Sequence, residues 1–458
     1  MRFASCPFAR FGGRFLNPTL WALAFALSLT GPAYAAEPAA LDVLEAYQLA
    51  LTHDRRFQAV KAQLRSEREA LPQAESRMRP SVSLTANRSR IDQSRDDGLG
   101  TVLRQRYNSD QDVMSLRQPV YSPKLLDAQS QAQAQVLAAQ AGVEAERLNL
   151  LGRVSEAYFN VVLASEKSGF IQQQIQIGQS RIQAAELALA AGTGTRTDIL
   201  EIRTEVDMLQ AQAIQARQAM AMSENELASL VGRSSVRVKP VLVAVFQTSR
   251  LSLPAVDNML AHVLQTHPEI VQRKYQQQAS EFAVHAAQAD HWPTADVVLQ
   301  KSRSVGDSSF FFNSKINAQS LGVQVTVPLY QGGMLDSKVR QAVAQEQESQ
   351  ERLAESEQRL QNEFRKSFLS VQEQLARVQA LNTAMASAEL SVKANQRSVL
   401  AGARSPLDVL IAEQKLAQAG MQMSDARNQA ILAWVKTMTW ADADHEGVLR
   451  QLSSWLLP

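Results

Sequence analysis

The chain has 458 residues, and its 47 Lys and Arg nearly balance its 45 Asp and Glu; without the first 35 residues, which hold Arg2, Arg10 and Arg14 and no acid, 44 basic face 45 acidic groups. That balance argues against nucleic acid as a partner, which calls for a clustered basic excess. The only cysteine, Cys6, leaves the rest of the chain without a disulfide, a thiolate nucleophile or a cysteine metal ligand, and the low aromatic content of 6% beside long Ala-, Gln-, Glu-, Leu- and Arg-rich stretches is the composition of coiled coil.

The first element is a secretory signal over residues 1–35. Three arginines form its basic region, Leu20 to Leu29 its apolar run, and Ala33-Tyr34-Ala35 a small-residue cleavage site behind the Gly31-Pro32 break. The run is short for a membrane anchor, which needs roughly 20 apolar residues. Cys6 precedes the apolar run and is not placed for lipidation of a mature N-terminus. Beyond Ala36 no apolar stretch approaches spanning length. The exported chain is therefore either soluble in the periplasm or outside, or crosses a membrane as strands.

The remainder repeats itself at an offset of about 210 residues. Leu41 to Pro80 corresponds to Ala255 to Pro293, with His53-Asp54 opposite His267-Pro268. Two-residue alternation follows in each half: Val82, Leu84 and Ala86 in the first, and Leu321, Val323, Val325, Val327 and Leu329 in the second. It predicts strands with one apolar and one polar face, around 81–90 and 110–120, then 294–303 and 319–329. Asp96-Asp97-Gly98 and Gly306-Asp307-Ser308-Ser309 make these hairpins with long, polar tips. Phe310-Phe311-Phe312, in the second tip, is open between an interface anchor, a plug and a loop folded on the rim.

The period then changes to seven. Phe364, Val371, Val378, Met385, Val392 and Val399 correspond to Val154, Val161, Ser168, Ile175, Ile182 and Leu189 in the first half. Unbroken heptads predict supercoiled helices over Lys124 to Ala191 and Leu335 to Ala401, each ~100 Å long. Both stop at a glycine-marked turn, Gly192-Thr193-Gly194-Thr195-Arg196-Thr197 and Gly402-Ala403-Arg404-Ser405-Pro406, and reverse into new heptads. Ile199, Val206, Ala213 and Met220 form one returning set, and Val409, Leu416, Met423 and Ala430 the other. The domain plan is a first repeat over 36–240, a second over 241–445 and a tail over 446–458.

Four strands cannot close a barrel, and open edges are not tolerated in lipid, so strands in a membrane require several chains around one pore. The Gln- and charge-rich helices suit a second, hollow cylinder wet on both surfaces, since a solid bundle needs a wider apolar face. A fibrous dimerisation coil, or a periplasmic scaffold without a pore, is the alternative that the helices alone leave open.

The plan resembles the TolC family of outer-membrane efflux and secretion ducts. The resemblance rests on the paired halves, on Pro328-Leu329-Tyr330-Gln331-Gly332-Gly333 at the strand-to-helix junction, and on Gly192 to Leu200 with its counterpart Gly402 to Leu410. It covers nearly the whole exported chain and implies a homotrimer with a twelve-stranded barrel in outer-membrane lipid. The barrel would continue as a helical coiled-coil tunnel through the periplasm of a Gram-negative cell. No cofactor or enzymatic activity is implied. The Gly-Thr-Arg-Thr-Asp-Ile-Leu turn points to type I secretion ducts. Their partners are a periplasmic membrane-fusion adaptor and an inner-membrane ABC transporter; the alternative is a duct for a proton-driven multidrug efflux pump.

The resemblance also places a gate at the turns: Arg404 and Asp198 as a closing pair between hairpins, and Asp408 as a ring of three carboxylates that would favour cations. Gly192, Thr195, Arg196 and Gly402 would form the adaptor-facing turn, with Glu201 beside it. Ile411 and Val399 depart from the family pattern, which often has a second acid and a tyrosine there. The competing reading makes Arg404 an exposed turn charge and Asp198 or Asp408 a helix cap. The six histidines lack metal-ligand spacing, Gly192-x-Gly194 lacks the third glycine of a nucleotide loop, and no Gly-x-Ser-x-Gly turn occurs.

Overall fold

A computed structural model describes residues 40–96, 98, 100, 102–240, 251, 253–306, 314–404, 406–441 and 444–454. The signal segment, Phe310 to Phe312 and the expected junction at 241 lie outside the described residues.

The order of elements reflects the internal duplication. Helices α1 (Val43–His53), α2 (Arg55–Arg68) and α3 (Ala70–Ser76) lead into strands β1 (Ser81–Asp96) and β2 (Val102–Tyr121), then helices α4 (Pro123–Ala190) and α5 (Arg196–Val231). Helices α6 (Val256–Thr266) and α7 (Pro268–Ala289) lead into β3 (Thr294–Gly306) and β4 (Ser314–Thr326), then α8 (Met334–Leu400) and α9 (Pro406–Ala441). The leading helix pairs break alike: Asp54 caps α2 by accepting the Phe57 N–H at 2.7 Å, and His267 caps α7 by accepting the Glu269 N–H at 3.3 Å. The long helices start one residue earlier than their heptads suggest, α4 with Pro123 in its first turn, where proline's missing N–H removes no helical hydrogen bond.

The four strands form one antiparallel sheet in chain order, so β1 and β4 are its edges. Strands β1 and β2 run further toward their tip than the apolar alternation reaches. Cross-strand ion pairs, Arg88–Asp112 at 2.7 Å and Arg106–Asp92 at 2.7 Å, continue the ladder where the apolar alternation lapses. Strand β4 instead stops at Thr326, two residues short of Pro328, which has no N–H to donate.

Register assigns the faces. Val82, Leu116, Leu299 and Leu321 lie in one row, with Val297 and Val323 in the next, while the opposite face holds rows such as Ser83, Ser115, Gln300 and Ser320. Leu321 is 74% exposed and Val323 70%, on a face that none of the described residues covers.

In the helical part α4 packs against α5 and α9, and α9 against α8; nearer the sheet, α7 lies between α4 and α8. The largest core is built where α1, the middle of α4 and the ends of α5 and α9 meet, around Trp434, Tyr47, Tyr158 and Phe159. The Tyr158 hydroxyl donates to the Leu41 carbonyl at 3.0 Å and accepts the Lys239 N–H at 3.2 Å, pinning the two chain segments that pair at Leu41 and Val238. The segment expected as a tail begins as helix α10 (His445–Ser453), whose Val448, Leu449 and Leu452 are buried in this same core.

Candidate gating site

Both long helices end by one device. Gly192 and Gly402 sit in the left-handed region at φ +74° and +70°. The Gly192 N–H then reaches the Leu189 carbonyl at 3.0 Å and the Thr193 N–H the Ala188 carbonyl at 3.0 Å. The matching bonds in the second half are Gly402 to Val399 at 3.0 Å and Ala403 to Ser398 at 2.9 Å. This paired closure satisfies the last carbonyls and reverses the chain. The two turns therefore sit at the ends of two hairpins, α4–α5 and α8–α9.

Helix α5 restarts with a capping box. The Thr195 hydroxyl accepts the Asp198 N–H at 3.2 Å, and the Asp198 carboxylate accepts the Thr195 N–H at 3.3 Å. Asp198 is half-buried, and Thr195, Arg196 and Glu201 are exposed. Thr195→Ala is expected to lower stability by about 1 kcal/mol, the usual worth of an N-cap side chain, read as fraying of the first turn of α5 in hydrogen exchange.

At the second turn Arg404 folds back along α8. Its guanidinium donates to Asn395 Oδ1 at 2.6 Å, and Asn395, itself buried, donates to the Ser391 carbonyl at 2.9 Å. Asp408 is half-buried in the first turn of α9, where the helix N-terminus favours a negative charge. Within one chain the structure thus gives Arg404 to Asn395 and Asp198 to Thr195, and no ion pair joins Arg404 to Asp198 among the described residues.

The hairpins are tied together by charges that the sequence reading does not single out. Arg181 on α4 makes a two-pronged bond to Glu413 on α9, at 2.9 and 2.5 Å, with both side chains about four-fifths buried. Gln396 on α8 reaches the same carboxylate at 3.5 Å. Further along, the buried Arg427 of α9 pairs with Glu166 of α4. Bidentate, partly buried pairs of this kind hold geometry better than exposed ones. Arg181 directly precedes the seam residue Ile182, and Glu413 and Arg427 each lie four residues after a seam residue, Val409 and Met423. Those are the positions where coiled coils place interhelical pairs, which is the signal that points to them.

Among the described residues no group of three His, Cys, Asp or Glu could hold a metal ion, and no helix is long and apolar enough to cross a membrane. The arrangement is a paired set of helical hairpins carrying a sheet with one apolar face, which is the protomer plan of an outer-membrane channel. The family described as "Outer membrane efflux protein" matches residues 46–233 and 259–438, and the chain belongs to it.

Two relatives match over almost the whole length. The chain is 26% identical to the proteases secretion protein PrtF of Dickeya chrysanthemi, covering 94% of each chain. It is 27% identical to the alkaline protease secretion protein AprF of Pseudomonas aeruginosa, over 91% of this chain and 87% of that one. In fold it matches the outer membrane protein VceC from Vibrio cholerae with a TM-score of 0.74, at 18% identity, over 87% of this chain and 95% of that one. The protein is thus a mixed α/β outer-membrane channel subunit of the TolC type, a sheet continued by long helical hairpins.

Proposed function

We propose that three copies of the chain close a twelve-stranded barrel in the outer membrane and a helical tunnel below it, as a passive exit duct for type I secretion. A periplasmic adaptor and an inner-membrane ABC transporter would dock at the turns carrying Gly192, Thr195, Arg196 and Gly402. The observation that carries this reading is the near-full-length similarity to two protease secretion proteins.

The open surfaces of the protomer support the assembly. Strands β1 and β4 are unpaired edges. In the helical order α5, α4, α9, α8, the outer helices expose Leu200, Met208 and Ile214 on α5 and Leu369 and Leu390 on α8. A neighbouring copy would cover both. Tyr121, Trp292 and Tyr330 are exposed at the helical end of the sheet, where aromatic side chains suit a membrane–water interface.

Deleting the gene and following its cargo tests the reading. The expected result is that a protein exported by the partner ABC transporter accumulates inside the cell while drug susceptibility stays unchanged. Unimpaired secretion with heightened drug sensitivity would replace secretion by multidrug efflux as the function.

The gate belongs to the same proposal. Arg404 and Asp198 of neighbouring hairpins would close the entrance, and three copies of Asp408 would line it and select cations. Arg404→Ser is expected to raise the single-channel conductance several-fold, and Asp408→Asn to weaken cation preference. An unchanged conductance in the first variant would move the gate away from this turn.

A further inference from the structure

Between the two hairpins, below the main core, lies a cavity of about 300 Å³ that neither the gate nor the duct wall accounts for. Its walls are mostly apolar: Ile177 of α4, Val206 and Leu209 of α5, Met385 of α8, and Leu410 and Leu416 of α9. Val206, Leu209 and Leu410 are buried at its inner wall, while Gln173 and Glu389 are exposed at its mouth.

The walls are set by backbone approach. A Cβ at Gly178 would lie 2.5 Å from Val206 Cγ2, and one at Gly420 would lie 3.2 Å from the Phe170 ring. At these two points α4 touches α5 and α9 as closely as side chains allow. The space beside them is therefore held open by rigid helices, as pre-formed small-molecule sites are.

Three carboxylates, Glu205, Glu389 and Glu413, also line the cavity. Glu413 is taken by Arg181. Among the described residues neither Glu205 nor Glu389 has a basic side chain within ion-pairing distance. A pocket with an apolar inner wall and two carboxylates toward its open side, Glu205 half-buried and Glu389 exposed, has the complementarity of a ligand with an apolar body and one positive charge.

We infer that this cavity binds a small amphipathic monocation of the aromatic or alkyl ammonium class, its apolar body between the hairpins and its charge toward Glu205 and Glu389. The inference rests on the fold alone and stands apart from the secretion reading. An occupant here would contact all four long helices beside the Arg181–Glu413 tie.

Titration calorimetry of phenyltrimethylammonium into the purified oligomer tests it. Saturable binding at one site per chain is expected, weakened at least tenfold by the shape-conserving pair Glu205→Gln and Glu389→Gln, and abolished by the filling change Met385→Trp. The two glutamines leave the packing intact and keep the test decisive if the tryptophan disturbs the fold. No saturable binding to the unaltered protein overturns the proposal, as does binding unweakened by the two glutamines.

Discussion

Replacing Leu321 by Arg is expected to destabilise the inserted protein by about 2–4 kcal/mol, the penalty for a cation on the lipid face of a barrel near mid-membrane. On an aqueous surface the same change at so exposed a position would stay within about 0.5 kcal/mol. Leu321 stands in a row with Leu299, Leu116 and Val82, and Val323 and Val297 follow it on the same face. Its chain neighbour Ser320 points to the other face, opposite Gln300 and in line with Ser115 and Ser83. Ser320→Arg is therefore the internal control and is expected to be nearly neutral, since a pore-facing cation stays hydrated. The check is the denaturant midpoint of protein folded into lipid vesicles. Equal, small effects at both positions would mean that this sheet does not face lipid.

Arg153→Met is expected to lose about 3–5 kcal/mol per chain, because it strands two buried carboxylates. The Arg153 guanidinium bonds Asp54 at 3.0 and 3.3 Å and Glu146 at 3.1 Å, and both acids are nearly fully buried. Asp54 would keep its capping bond from the Phe57 N–H and the nearby charge of Arg56, and Glu146 its pair with Arg56 at 2.9 Å. Asp54→Asn and Glu146→Gln added to Arg153→Met should recover most of the loss, since the stranded charges are then gone and Asn still caps a helix. The readout is the midpoint of heat dissociation of the detergent-solubilised oligomer.

The same cluster gives a pH dependence. Burial alone would push the Asp54 carboxyl up. The Arg153 fork, the Phe57 amide and the charges of Arg153 and Arg56 outweigh it and hold the carboxyl below its ordinary value. A group depressed on folding contributes stability above its unfolded pKa and loses it as the pH falls through the folded one. Acidification below about pH 4 should therefore lower the midpoint less steeply in Asp54→Asn than in the unaltered protein.

Periodicity carried most of the architecture. Phe364, Val371, Val378 and Val392, read as one seam seven residues apart, are buried, and so is Ser168, the one polar member of the matching seam. The seam fails toward the turns, where Leu189 is exposed beside Leu187, and Leu400 is also exposed. A heptad marks which residues want cover, and one protomer does not supply all of it. Helix α10 is short and has no long period, so nothing local distinguished it from a tail. The Arg181–Glu413 pair spans 232 positions in the chain and becomes visible only once α4 and α9 lie side by side. Asp198 shows the opposite limit: its spacing from Thr195 is a legible capping box, and that local use is what the fold displays.

Single-channel recording of the purified protein in planar lipid bilayers across a salt gradient tests the central claim most directly. A closed barrel of several copies predicts discrete steps with a reversal potential displaced toward the cation equilibrium value. A folded, correctly assembled oligomer that yields no steps would contradict a pore built from these strands and leave a coiled-coil scaffold in its place.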